Sequence, residues 1–345
     1  MKNIFLKRLL ALAGILSASV VGVYAAETKI EGVLFATYGL YTSDYKANNA
    51  LAYDYNTFDV GRVYVTASTK YTPNITSKIV LEGATTTAGN AIFLKNAFLQ
   101  WKDDTGKLTV EGGMPGTLWI SPEEGVWKYR FVEKVQTDLE GVLHSADKGI
   151  KAIYKLPKGY GTAEGMLANG EGYKAVEIAD WRNKVTKDGQ VRLALTPLKN
   201  KDFSVSGLYL GTVGLSRVRE RFLVGIAYQG KKFSIGASGF KSLDYSTFTA
   251  PGPVEGKKGY SIYGNLPLTL PLAGSLNCFA RYDWVDGSRL ESKNYDRRNL
   301  QIYGVAKELA KDVKVALTER IVHQGQVVVK ERHQYITSVD LFAKF

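Results

Sequence analysis

The sequence predicts an all-β transmembrane protein, an antiparallel up-and-down β-barrel of about sixteen strands. Three observations carry that expectation. Apolar and polar residues alternate with period 2 through most of the chain, while helical periodicity is nearly absent. Tight turns occupy every second connection, and mostly longer connectors separate them. Each alternating segment has one apolar and one mixed polar face, as a wall between lipid and a wet lumen requires. Backbone groups in hydrocarbon must be bonded internally, and without helices only a closed barrel achieves that.

Residues 1–25 read as a cleaved signal peptide. Lys2, Lys7 and Arg8 precede the apolar run LLALAGILSASVVGV, and Val23-Tyr24-Ala25 suits a signal-peptidase site. An N-terminal membrane anchor is the alternative, but Gly and Ser interrupt the run and strand-like sequence follows at once. Residues 26–345 then form a single outer-membrane β-barrel domain, since no linker or composition shift divides them.

The first strand, near 28–42, contains KIEGVLFATYGL and leads into a connector at about 43–55. Strands near 56–71 and 75–84 are joined by TPN, and those near 91–103 and 107–113 by DDTG. The third external connector, 114–147, is by far the longest. PKG joins strands near 148–156 and 160–169; LKNK joins 189–198 to 202–213 after the connector at 170–188. QGKK separates 217–230 from 231–243, and PLAG separates 258–270 from 273–286, with a connector at 244–257 between these hairpins. After a connector at 287–294, AKD joins 295–309 to 312–324, and the last strand is 332–345. An even strand number puts both ends of the barrel on the periplasmic side.

That last strand reads SVDLFAKF at its end. Tyr335, Thr337, Val339, Leu341, Ala343 and Phe345 take the outward face, with Ser338, Asp340 and Lys344 inward. It must pair with the first strand to remove both edges. Tyr71, Trp101, Tyr154, Phe203, Tyr228 and Phe233 fall beside the tight turns, where an interfacial aromatic girdle belongs.

Composition narrows the function classes. A lone Cys278 excludes an intramolecular disulfide. The net charge is +12, and removing the three signal-peptide bases leaves +9. No zinc-knuckle spacing, helix-turn-helix pattern or basic arm points to nucleic acid. His144, His323 and His333 are the only histidines and have no metal-ligand spacing, so no metal or cofactor is expected. GYGTAEG lacks the Lys-Ser/Thr and the helix of a phosphate loop, and no nucleophile–base pair stands out. The sequence predicts no enzyme.

Two constellations remain. The 114–147 connector holds Trp119, Trp127, Tyr129, Phe131, Val132 and Leu139, which need burial. Folding it into the lumen buries them against the wall and turns Glu123, Glu124, Lys128, Arg130, Glu133 and Lys134 toward a constricted passage. An external lid or an oligomer contact is the alternative. The second constellation is RVRERF, which by alternation aims Arg217, Arg219 and Arg221 into the lumen, about 7 Å apart. Such a ladder can pass an anion between guanidinium groups; its alternative is a patch for lipopolysaccharide phosphates or loop acids. Arg62, Lys151, Arg192, Arg281, Lys314 and Arg320 also face inward, with Glu82, Glu111 and Asp283 tempering them.

The stretches GGMPGTLW, EEGVWKYRFVEK, TDLEGVLHSADKGIKA and LANGEGYK resemble Gram-negative porins related to the phosphate-selective porin O/P superfamily. The resemblance covers a minor part of the chain. It implies a sixteen-stranded homotrimer with an inward-folded third loop, conducting small anions. No defined set of phosphate-coordinating residues is matched, so phosphate specificity does not carry over. Together these readings predict a passive diffusion channel in the outer membrane of a Gram-negative bacterium. Its expected solutes are small and hydrophilic, with a preference for anions, possible phosphate-like ones included. Its surroundings are outer-membrane lipid and lipopolysaccharide. The competing reading is a structural or adhesive barrel with a plugged lumen whose external loops bind a partner.

Overall fold

The computed structural model describes residues 26–43, 54–86, 89–174, 187–197, 202–213, 217–246, 253–271, 274–289, 295–326 and 329–345. The expected signal peptide lies outside the described residues. Among them run sixteen strands. The first eight are β1 (Glu27–Ser43), β2 (Tyr55–Lys70), β3 (Ile75–Thr86), β4 (Gly89–Lys102), β5 (Leu108–Met114), β6 (Gly149–Lys155), β7 (Gly161–Ala168) and β8 (Lys187–Leu195). The others are β9 (Phe203–Val213), β10 (Arg217–Gln229), β11 (Ser234–Ser246), β12 (Pro253–Leu270), β13 (Gly274–Arg289), β14 (Tyr295–Ala310), β15 (Val313–Gln326) and β16 (Val329–Lys344). Two short helices, α1 (Ile120–Trp127) and α2 (Gln136–Leu139), lie in the connector between β5 and β6.

Each strand pairs antiparallel with its sequence neighbours, and β1 pairs with β16 to close the barrel. Val33 sits opposite Lys344 and Tyr38 opposite Val339. The backbones of Gly32 and Phe345 exchange two hydrogen bonds, of 2.6 and 2.9 Å. Closure therefore extends to the last residue of SVDLFAKF, and its outward and inward faces are those the alternation predicts.

Exposure follows the pleat. On β10, Phe222, Val224 and Ile226 are exposed while Arg221, Leu223 and Ala227 are buried. On β13, Phe279, Arg281, Asp283 and Val285 are buried on the inward face. An apolar side chain left exposed on the outside of a closed sheet is stable where lipid covers it. Val224, 65% exposed in the middle of β10, offers a test. Val224→Arg is expected to cost about 2–4 kcal/mol in lipid, measured by denaturant unfolding in liposomes. Unchanged stability would remove this face from the bilayer.

Two irregularities matter for the lumen. The β1–β2 register shifts between Phe35 and Thr37, and the β3–β4 register shifts between Val80 and Leu81. Each bulge inserts an extra residue and re-aims the side chains beyond it. In β4 the exposed Leu94 and Leu99 are five residues apart, a spacing a regular strand cannot turn to one face.

The expected connector at 244–257 is a correction: β11 runs to Ser246 and β12 begins at Pro253. Glu255, Gly256, Lys257 and Lys258 pair with Arg289, Ser288, Gly287 and Asp286. Above the lipid, backbone bonds continue the ladder without apolar alternation, so pattern reading stops too early. Proline at a strand's first residue costs no ladder bond.

Candidate functional site

The 115–148 connector packs against inward-facing residues of many strands. Its feet are β5 and β6, joined at the base by Gly113 opposite Gly149. Gly113 has φ +124, and a Cβ there would sit 2.4 Å from the Ala97 carbonyl oxygen. From this base Trp119 reaches β10 and β8, with its ring over Arg192 at 5.9 Å. The Trp127 ring meets Tyr263 of β12 and Phe279 of β13, both at 5.9 Å edge-on. Tyr129 stacks on Phe279 at 4.0 Å, and Phe131 lies between Phe35 of β1 and Phe342 of β16. The aromatic residues that demanded burial thus form an apolar core between connector and wall.

Polar anchors fix the connector's path. The Gln136 amide donates to the carbonyls of Tyr260 and Trp284, at 2.9 and 3.0 Å. Three buried arginines on the wall donate to connector carbonyls: Arg221 to Val142, Arg281 to Lys134 and Arg320 to Val132. Each is bracketed by a carboxylate, Asp244, Asp283 and Asp340 respectively. Glu140 of the connector pairs with Arg298 at 2.9 Å.

The predicted basic ladder is therefore engaged. Arg219 pairs with Asp188 at 3.1 Å and Arg221 with Asp244 at 2.6 Å. The Arg217 side chain lies outside the described residues. Arg192 pairs with Glu164 at 2.8 Å, and Lys151 with Glu111 at 2.6 Å. Arg219, Arg221, Arg192 and Lys151 point inward as alternation predicts, but each meets an acid, on the adjacent strand for Arg221, Arg192 and Lys151 and two strands away for Arg219.

Within the connector, Glu123 differs from its expected place beside the passage. It is buried, accepting from the Trp119 indole at 2.8 Å, the Thr137 hydroxyl at 3.1 Å and the Ser238 hydroxyl of β11. Burial pushes its carboxyl up, and those three bonds pull the other way. The indole and two hydroxyls need an acceptor at this buried position, so the acid serves the fold. Lys128 is exposed at the left-handed end of α1, with φ 66.

Glu124, Arg130, Lys134 and Asp138 occupy the connector's other face. Arg130 pairs with Glu124 at 2.6 Å, and Lys134 approaches Asp138 at 3.7 Å. Burial lowers the Lys134 ammonium below its ordinary range; Asp138 opposes this, while Arg62, Arg130 and Lys174 reinforce it. Across from this face, Glu82 of β3 is fully buried among Arg62 of β2, Lys95 of β4 and Lys174. A cavity of about 280 Å³ separates the connector from β1, β2 and β16, with Arg62, Arg130, Lys134, Asp59, Glu133 and Asp340 on its lining. Five cations (Arg62, Lys95, Arg130, Lys134, Lys174) and five acids (Glu82, Glu124, Asp138, Asp59, Glu133) thus gather here, with three of the cations meeting one acid at Glu82.

Lys95, Tyr173 and Lys174 escaped the sequence reading. The bulge in β4 hides the parity of Lys95; the Leu94–Leu99 spacing was the available signal. Tyr173 and Lys174 carry no periodic signal, because they lie beyond β7. Among the described residues, no group of three or more His, Cys, Asp or Glu is arranged to hold a metal ion.

No family model and no curated protein matches the chain. Solved structures do. The outer membrane channel DcaP of Acinetobacter baumannii is similar at TM-score 0.65 and 11% identity, over 93% of this chain and 98% of that one. The anion-selective porin of Comamonas acidovorans is similar at TM-score 0.64 and 13% identity, over 93% and 100%. Outer-membrane expressed OmpT of Vibrio cholerae gives TM-score 0.62 and 12% identity, over 95% and 100%. At these identities the likeness shows the fold, a sixteen-stranded barrel of the outer-membrane porin type.

Proposed function

We propose that the chain is an outer-membrane porin of a Gram-negative bacterium, a passive diffusion channel for small hydrophilic solutes with a modest preference for anions. One observation carries the reading. The inward connector leaves a charged cavity against β1, β2 and β16, next to a cluster in which Arg62, Lys95 and Lys174 outnumber the acid they share, Glu82. A ring of one sign in a narrow aqueous pore attracts the opposite ion and repels its own. The engaged arginines of β8, β10, β13 and β15 act there mainly as scaffold. Selectivity falls to Arg62, Lys95, Arg130, Lys134 and Lys174, with Glu82, Glu124, Asp138, Asp59 and Glu133 reducing it. A homotrimer, contact with lipopolysaccharide and membership of the phosphate-selective porin O/P superfamily are parts of the same proposal.

The pairing of so many inward arginines favours a second reading, a barrel whose lumen is plugged. Planar-bilayer recording separates the two. Discrete conductance steps are expected, with a reversal potential in asymmetric potassium chloride on the anion side. Folded protein that forms no channels would leave the plugged barrel. Cation-selective channels would remove the anion preference alone.

A further inference from the structure

We propose that Glu82 sets both the bore and the ion preference of the passage, by tethering a second inward segment, residues 169–174, across the lumen. The inference rests on the channel reading for its electrical consequence and on geometry alone for the tether. The Glu82 carboxylate is 0% exposed. It accepts the Tyr173 hydroxyl at 3.0 and 2.9 Å, one distance to each oxygen, and meets the Lys174 ammonium at 3.0 Å. Lys95 lies 3.1 Å away, and Arg62 completes the set.

A buried carboxylate is stable only when paired and fully hydrogen-bonded. Two wall cations suffice for one negative charge. The third cation and the phenol come from the connector after β7, so the acid grips a segment it does not need for charge balance. That segment is also tied at its other end. The Gly170 amide donates to Asp147 at 2.7 Å, and the Asn169 amide donates to the Lys148 carbonyl at 2.9 Å. Aromatic faces hold the cations in place: the Lys174 ammonium lies 4.6 Å from the Phe93 ring centroid, and that of Lys95 lies 4.6 Å from Tyr64. Glu82 is thus a positioning residue for 169–174 and, as an internal counterion, withholds three cations from permeating anions.

The test compares wild type with Glu82→Gln, and with a Tyr173→Phe/Lys174→Ala double variant that leaves the wall intact if the buried substitution prevents folding. Hydrogen exchange of purified protein in detergent reads the tether without any reference to conduction. Amides of 169–174 are expected to be protected in wild type and to exchange faster in both variants; equal protection overturns the tether. In bilayers, Glu82→Gln is expected to raise the anion-to-cation permeability ratio about two- to fourfold, the change that one unit charge makes at roughly 10 Å through water. The double variant is expected to raise unit conductance. Unchanged permeability ratio and conductance in variants of a conducting wild type overturn the role in selection while the porin reading stands. A wild type that never conducts removes the electrical role together with that reading, and exchange then decides the tether.

Discussion

Arg281→Met is expected to lower the barrel's unfolding free energy by about 3–5 kcal/mol, the cost of leaving one partner of a buried ion pair uncompensated. The Arg281 side chain is 1% exposed and its partner Asp283 4%. Two guanidinium nitrogens bond Asp283, one of them at 2.8 Å, and a third nitrogen bonds the Lys134 carbonyl of the connector. The guanidinium also lies 5.4 Å from the Trp127 ring centroid. Methionine fills the volume and supplies no donor, so a buried acid is left without a counterion, with the Ser261 hydroxyl still donating to it at 2.6 Å. Adding Asp283→Asn should recover part of the loss, because the orphaned charge disappears. Urea unfolding followed by tryptophan fluorescence measures both variants. A single variant within about 1 kcal/mol of wild type would place the pair in a wetter environment than its exposure implies.

The second large effect is expected at the connector's foot. Gly113→Ala forces a side chain onto φ +124 and 2.4 Å from the Ala97 carbonyl oxygen, with the Phe98 Cα at 3.0 Å. Backbone strain and overlap together are expected to cost about 4 kcal/mol. Gly149, directly opposite, is crowded in the same manner, since its Cβ would approach the Leu167 carbonyl oxygen at 2.2 Å. Neither obstacle is a side chain able to swing away. Folding yield into detergent micelles and heat-modified gel mobility report the loss. A normally folding Gly113→Ala protein would mean that β4 and β5 separate more readily here than their hydrogen bonds suggest.

Much of this architecture was legible because lipid and lumen write alternate letters into each strand. Phe222, Val224 and Ile226 point outward and Arg219 and Arg221 inward, as period 2 requires. The wall fails to follow the pattern in two kinds of place. Bulges in β2 and β4 break the parity, so Lys95 was missed although Leu94 and Leu99 signal the break. Strand β12 continues above the lipid through Glu255–Lys258, where no apolar partner imposes alternation. The site was legible in composition but not in pairing. Sequence shows that Arg221, Arg281 and Arg320 face inward; it does not show that Asp244, Asp283 and Asp340 meet them, or that connector carbonyls take up their remaining donors. Those partners are set by register between strands and by the path of a non-periodic segment. Glu123 is the sharpest case, since its neighbours in EEGVWKYR suggest a solvated acid while its indole and hydroxyl partners make it an internal one.

The β1–β16 junction has a consequence for how the barrel assembles. Every other junction joins strands consecutive in the chain, and each such pair can form as a hairpin. The seam instead brings Thr37 to Asp340, 303 residues apart, at 2.8 Å. Contacts of such separation carry the largest chain-closure entropy and form late. Until they do, β1 and β16 are both open edges able to pair with another chain. Lys344 and Glu31 meet across the seam at 2.7 Å, with Lys29 also on Glu31 at 3.0 Å. These ion pairs tie the two edges together at the end of the seam where the chain's last residue pairs with Gly32. The seam is therefore the junction whose closure waits on the whole chain, and with it the barrel loses both of its open edges at once.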